Sequence, residues 1–334
     1  MGDTTKIPLT SSEISGLWNS YMGDSLTIRV TEYFLNRVED TETHTILQHT
    51  NDLSNQHVSE ITELFNQAGL PIPEGFTVND VNINAPRLFT DSFYLNYISY
   101  MARVGMHNYT LILNQIARSD IRDYFSKRVN ETVELYNQST ELRLSKGIFV
   151  RAPFVEIPKK VQYIKGQSFM LDFFGEKRSM LLGEVTQLFG ITYSNVVGKA
   201  IATGFGQVSK NEKVSKYFFE GTELASKTIK ELTLLFENED IPIPSNSDSF
   251  LTDSTVAPFS EKLMLTHMLV LSSSGISSLG MALSQNIRSD LQTKYLKYIA
   301  EIMKFSQKGA NLMIEKEWLE QPPIVLRHKD LVGL

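Results

Sequence analysis

Six histidines, thirty-eight acidic residues and no cysteine limit the chemistry open to this chain. Without thiols there is no disulfide framework, no thiolate metal site and no cysteine nucleophile. What remains is carboxylate and imidazole chemistry, and its most demanding form is a carboxylate-bridged pair of metal ions inside a helical bundle. Such a centre takes a Glu from each of two helices and a Glu-x-x-His from each of the other two, all turned inward at one level. No Glu-x-x-His occurs here; the nearest remnants are His49-Thr50-Asn51-Asp52 and Glu220-Gly221-Thr222-Glu223. After Asp91 there is no acid until Asp120, and none between Glu261 and Asp290, so the third helix of each copy of the unit described below lacks a bridging carboxylate.

Glu32, His57 and His107 do fall on or beside apolar stripes. At a rise of about 1.5 Å per residue they lie about 10, 20 and 27 Å from the same end of a bundle, too far apart to share an ion. His49 comes near Glu32 in height and Glu134 near His57, so pairwise polar contacts are expected. These five residues are the polar-core candidates, and no catalytic, cofactor-binding or metal-ligating role is assigned to them. No cofactor is expected: the chain has neither Gly-x-Gly-x-x-Gly nor a phosphate loop. Ser272, Ser273, Ser274, Ser277 and Ser278 lack the strand-to-helix setting of a nucleophile elbow and read as small contacts between helices. Gly190, Ser194, Gly198, Ala202 and Gly206 recur every fourth position, a ridge on which another helix could lie close, from this chain or from a second copy.

The elements that must position these residues come in two sets. Gly69-Leu70-Pro71-Ile72-Pro73 recurs as Asp240-Ile241-Pro242-Ile243-Pro244, and Leu17-Trp18 as Leu188-Phe189. Arg118-Ser119-Asp120-Ile121 recurs as Arg288-Ser289-Asp290-Leu291, and Ala152-Pro153 falls on Pro322-Pro323. A period this long means duplicated domains, each expected to have its own core. In the first copy, apolar spacing of three and four runs through Ile14, Trp18, Tyr21, Ile28 and Leu35, then through Ile46, Leu53, Ile61 and Leu64. It resumes at Phe93, Tyr97, Tyr100 and Val104, and again at Ile121, Phe125, Leu135 and Leu142; the second copy repeats this over 178–208, 211–238, 259–286 and 289–318. Short links join the first and last helix pairs, while 69–88 and 239–258 are long enough to travel the length of a bundle. The fold class is therefore all-α: tandem ferritin-like four-helix bundles over 10–150 and 178–320, each with a crossover between its second and third helices. The joint at 151–177 carries Phe169, Met170, Leu171, Phe173 and Phe174, and is expected to dock on a bundle. Both third helices are poor in charge and are expected to be covered on most sides.

A net charge of −6 gives no electrostatic reason to expect nucleic acid or an anionic membrane as partner. Residues 263–287 carry no Asp, Glu, Lys or Arg, but six of them are serine, which suits a buried helix better than lipid. The start of the sequence lacks a secretory pattern, so a cytoplasmic location is expected. Expected partners are proteins, a second copy of the chain, or a small apolar ligand between helices.

The second copy also carries Gly198-Lys199-Ala200-Ile201-Ala202-Thr203-Gly204-Phe205, then Ser254-Thr255-Val256-Ala257-Pro258-Phe259-Ser260-Glu261-Lys262-Leu263-Met264, then Met313-Ile314-Glu315-Lys316-Glu317-Trp318-Leu319-Glu320-Gln321-Pro322-Pro323. In that order these segments resemble the firmicute family known as domain of unknown function 3231. The resemblance implies a ferritin-like fold and a relation to the spore coat protein F group, with no catalytic residues to carry over. The function expected is that of a non-catalytic structural or interaction protein associated with sporulation or the spore coat. The alternatives are a small-molecule binder using a bundle-core pocket and a divergent metal-binding oxidase.

Overall fold

The helices begin where side chains can cap them. Thr10 and Glu13 form a reciprocal capping box at the start of α1 (Ser11–Leu35), and the Asp40 carboxylate accepts from Thr43 N at the start of α2 (Thr41–Ala68). Gly69, at φ 66°, ends α2 in the left-handed conformation that favours glycine. The computed structural model describes residues 7–155, 159–166, 169, 178–242 and 250–325. Its remaining long helices are α3 (Asp91–Leu113), α4 (Ser119–Ser145), α5 (Leu182–Val208), α6 (Glu212–Glu237), α7 (Glu261–Gln285) and α8 (Ser289–Glu315).

Helices α1–α2, α3–α4, α5–α6 and α7–α8 pack as hairpins, and α1 on α3, α2 on α4, α5 on α7 and α6 on α8 complete a four-helix bundle in each half. The crossovers bring each third helix back to the start of the second. Asp91 on α3 accepts from Glu39 N and Asp40 N just before α2, and Glu261 on α7 accepts from Asn211 N at 2.8 Å just before α6. Both expected four-helix bundles are present; of the second crossover, residues 243–249 lie outside the described residues. Of the joint expected to dock, 151–155, 159–166 and 169 lie within the described residues. Phe154, Val161, Tyr163 and Ile164 are exposed there and do not dock. Of the five apolar residues from Phe169 to Phe174 only Phe169 is described, its carbonyl accepting from Arg178 Nε at 2.9 Å.

The crossovers also join the halves. Ser260 N donates to Asp80 O and Thr90 N to Phe250 O, at 2.9 and 3.1 Å. Asn82 N donates to Pro258 O and Thr252 N to Leu88 O, at 2.7 and 3.0 Å. The repeat equates Asp80 with Phe250, Thr90 with Ser260, Asn82 with Thr252 and Leu88 with Pro258, so each bond is the twin of another. The same holds for the antiparallel bridges Val81 with Phe259 and Phe89 with Leu251. Residue i meets the twin of j while j meets the twin of i, the pattern of a twofold dimer interface, here built within one chain.

Burial follows the same axis and corrects the expectation of separate cores. Phe34, Phe89, Phe93 and Tyr97 of the first half and Phe205, Phe259, Met264 and Met268 of the second belong to one continuous hydrophobic core. Among the described residues, separate clusters exist only at the outer ends, around Leu17, Phe65 and Phe125 and around Leu188, Phe236 and Tyr295. The cause lies in the crossovers, which carry Phe76, Leu88, Phe89 and Phe259 and bury them in the shared core.

The third helices are covered on most sides only near this junction; farther out α7 still buries Leu279 and Ala282 on one side, and α3 packs Ile112 and Leu113 on the outer cluster. Phe93 to Tyr100 on α3 and Leu263 to Leu265 on α7 are buried, whereas Leu111, Ser273, Ser277 and Met281 face outward. Among the described residues α7 is the one helix long and apolar enough to cross a membrane, yet its first half is packed in the shared core.

The small-residue ridge does not run along one partner helix. A Cβ at Gly198 would meet nothing within 4 Å, one at Gly190 would meet only Arg103 Nη2 at 4.0 Å, and one at Gly206 would meet the Phe219 ring of α6 at 3.1 Å. Ala202 also faces α6, 3.5 Å from where a Cβ on Gly221 would stand. The close approach to the other half is at Gly204, off the ridge, where a Cβ would stand 2.8 Å from the Phe89 ring.

Candidate functional site

The densest buried polar chemistry among the described residues lies inside the first bundle. α1 contributes Ser20 and Asp24, α2 His57 and Glu60, and α4 Tyr124, Arg128 and Glu131, each set three or four residues apart and so on one helix face. His57, 4% exposed, has Nδ1 2.9 Å from Asp24 Oδ1 and Nε2 3.1 Å from Glu131 Oε2. Arg128, with no exposed surface, places Nη2 2.7 Å from Glu60 Oε2 and Nη1 3.2 Å from Glu131 Oε2. Its guanidinium carbon stands 4.7 Å from the Tyr124 ring centre, and Ser20 links the Tyr124 hydroxyl at 3.0 Å to Asp24 Oδ2 at 3.2 Å.

Two carboxylates at opposite nitrogens define the charge of His57. Burial pushes the imidazole pKa down, but the Asp24 charge and the hydrogen bonds to Asp24 and Glu131 outweigh it, and the net shift is upward. Burial likewise pushes Glu131 up, and the His57 hydrogen bond with the Arg128 and His57 charges brings it below its ordinary value. A carboxylate at each nitrogen favours the imidazolium form, in which His57 donates from both nitrogens and keeps no lone pair to act as a base or to ligate a metal.

The protonation state fixes a pH dependence. A histidine whose folded pKa is raised contributes stability below its unfolded value, about 6.5, and that contribution is lost as pH rises through the folded value. Urea midpoints of the native protein are therefore expected to fall above about pH 6.5, while those of His57→Gln, lower at acid pH, stay flat over the same range. Parallel slopes in the two proteins would refute the assignment.

The family model described as a protein of unknown function (DUF3231) matches residues 2–161 and again residues 168–331, one match for each bundle. The chain belongs to this family. Among solved structures the chain is similar to a "putative spore coat protein" from Bacillus halodurans C-125, at 19% identity and a TM-score of 0.42, covering 46% of this chain and 99% of that one. No curated protein matches the chain.

In this DUF3231 tandem the polar cluster belongs to one half. The repeat equates Asp24 with Asn195, His57 with Thr228 and Arg128 with Tyr298, and the Tyr298 hydroxyl donates to Glu231, the twin of Glu60, at 2.9 Å. Of the five polar-core candidates only His57 joins the cluster. Glu32 pairs with Arg29 at 3.1 Å on α1, and burial raises its pKa despite that pair. His49 and His107 are half-buried. Glu134 is exposed and accepts from Gln138; the residue that reaches His57 is Glu131, three positions earlier on the inward face. Among the described residues no group of three or more His, Asp or Glu is arranged to hold a metal.

Asp24, Arg128 and Glu131 escaped the sequence reading although a signal existed. Asp24 stands at helical spacing from Leu17, Tyr21 and Ile28, and Arg128 and Glu131 from Tyr124 and Leu135, so these polar residues lie on inward faces that apolar spacing alone does not assign to them. A hollow of about 370 Å³ at the outer end of the second half, lined by Ser179, Leu235, Asn238, Glu239, Asp240 and Arg288, is polar and does not suit the apolar ligand expected between helices. Its Arg288 is held by Glu239 at 2.8 Å and Asp290 at 2.9 Å.

Proposed function

We propose that this DUF3231 protein is a non-catalytic structural or interaction protein: two helical bundles held as one body, working in the sporulating cell. The observation that carries this reading is the closed polar cluster. His57 has both nitrogens on the carboxylates of Asp24 and Glu131, and Arg128 stands beside Glu131, so these carboxylates are engaged by the protein's own side chains. The junction supports the same reading, because crossovers bonded to each other in a twofold pattern and a shared aromatic core favour a rigid unit over hinged domains. The spore setting rests on the family resemblance.

Purified without chelators and incubated with ferrous iron, the protein is expected to retain no stoichiometric metal through gel filtration and to show no oxidase activity. Retention of about two irons per bundle would overturn the non-catalytic reading. Immunoblots of purified spores against vegetative cells test the setting, and a signal confined to vegetative cells would remove it.

A further inference from the structure

Arg143, near the end of α4, is 3% exposed and stands apart from the other buried arginines. Arg118, Arg128 and Arg288 each meet a carboxylate, at 2.6, 2.7 and 2.8 Å. Arg143 meets none among the described residues. Its Nη1 donates to Ser99 Oγ at 2.9 Å, its Nε is buried with no acceptor, and the groups that bear on its charge are Tyr193, Tyr136 and a second cation, Arg103. Arg143 lies 4.8 Å from the Phe149 ring centre and 5.5 Å from that of Tyr193, and the half-buried Arg103 lies 5.7 Å from the same Tyr193 ring. Tyr193 is fixed from the other half by donating to Asn96 Oδ1 at 3.1 Å.

Aromatic faces offset part of the cost of burying a guanidinium, but an unpaired buried charge is among the most unfavourable groups a fold can carry. The duplication provides an internal control. The twin of Arg143 is the buried Met313, and the twins of Ser99 and Arg103 are Leu269 and Ser273. The same bundle position is thus filled by apolar and neutral residues in the second half, so the architecture does not require the charge. Tyr193 also forms one wall of a narrow pocket of about 30 Å³, completed by Val150, Phe189, Thr192, Val196, Val197 and Phe250.

We propose that Arg143 and Arg103, about the Tyr193 ring, form an anion site at the junction of the bundles that takes the carboxylate of a small amphipathic acid. A planar guanidinium with a free Nε matches a carboxylate, and a monoanion balances the one fully buried cation. The apolar lining beside Tyr193 meets the first carbons of the hydrocarbon part, and the rest stays outside because the enclosed volume holds little more than a methyl group. A phosphate fits less well: among the described residues its further oxygens would face aromatic rings. This inference is independent of the structural reading above, since an inert scaffold can carry a ligand.

The test is calorimetric titration of sodium octanoate into the full chain, with octanol and inorganic phosphate as controls. Octanoate is expected to bind and raise the melting temperature, with octanol and phosphate at least about tenfold weaker. Arg143→Met, which installs the residue of the other half, is expected to melt no lower than the native protein without ligand and to lose octanoate affinity by at least about tenfold. Arg103→Ser, at a half-buried site where folding is not at stake, is expected to lose about fivefold and supports the proposal even if Arg143→Met fails to fold. No octanoate binding, equal affinity in both variants, equal binding of octanol, or tighter binding of phosphate would each overturn it.

Discussion

Arg128→Ala is expected to lower the stability of the folded chain by about 3–5 kcal/mol, the range for removing one partner of a buried ion pair. The guanidinium has no exposed surface, so water cannot take its place at Glu131 without opening α4. Glu60, about a third exposed, recovers part of its solvation, which places the cost nearer the lower figure. Glu131 then keeps His57 and the more distant Lys127, 3.9 Å away, as its cations, and the Tyr124 ring loses the charge stacked on it. The second half suggests the comparison variant. Its tyrosine at this position, Tyr298, donates to the twin of Glu60, so Arg128→Tyr is expected to lose less than Arg128→Ala. Urea denaturation of both variants measures this. A loss below about 1 kcal/mol in Arg128→Ala would mean that the cluster is hydrated and the charge dispensable.

What could be read from the sequence divides along a physical line. Helices, hairpins and crossover lengths depend on local spacing, and the series through Leu17, Ile28, Ile61 and Phe125 is enough to find them. The pairing of Val81 with Phe259 and of Phe89 with Leu251 joins residues about 170 positions apart, and no local pattern announces it. The crossovers therefore read as connections, although their Phe89 and Phe259 hold the halves together. A similar limit governs the ridge from Gly190 to Gly206. Period four shows that these residues share a face, but whether anything lies across that face is a tertiary fact, and Gly198 faces open space. The polar cluster is half legible: height along the bundle puts a Glu of α4 near His57, but that the inward one is Glu131 and not Glu134 is set by how α4 packs.

The second large effect is expected at the junction. Phe89 is buried, stacks on Phe93 with ring centres 4.1 Å apart, meets Phe34 edge-on at 6.3 Å, and packs against α5 at Gly204. Phe89→Ala removes a ring that contacts both halves, and truncation of a buried phenylalanine costs about 3–5 kcal/mol. How that loss is distributed matters more than its size. With a shared core, Leu251 and α5 at Gly204 lose packing along with Phe34 and Phe93, so the whole chain is expected to unfold in a single calorimetric transition at a lower temperature. With independent cores, the mutation would split the transition, lowering the first half's melting and leaving the second half's amplitude in place. Differential scanning calorimetry distinguishes the two directly. A second transition at the native temperature, carrying about half of the native enthalpy, would show that the bundles only touch, because unfolding enthalpy scales with the number of residues that unfold together.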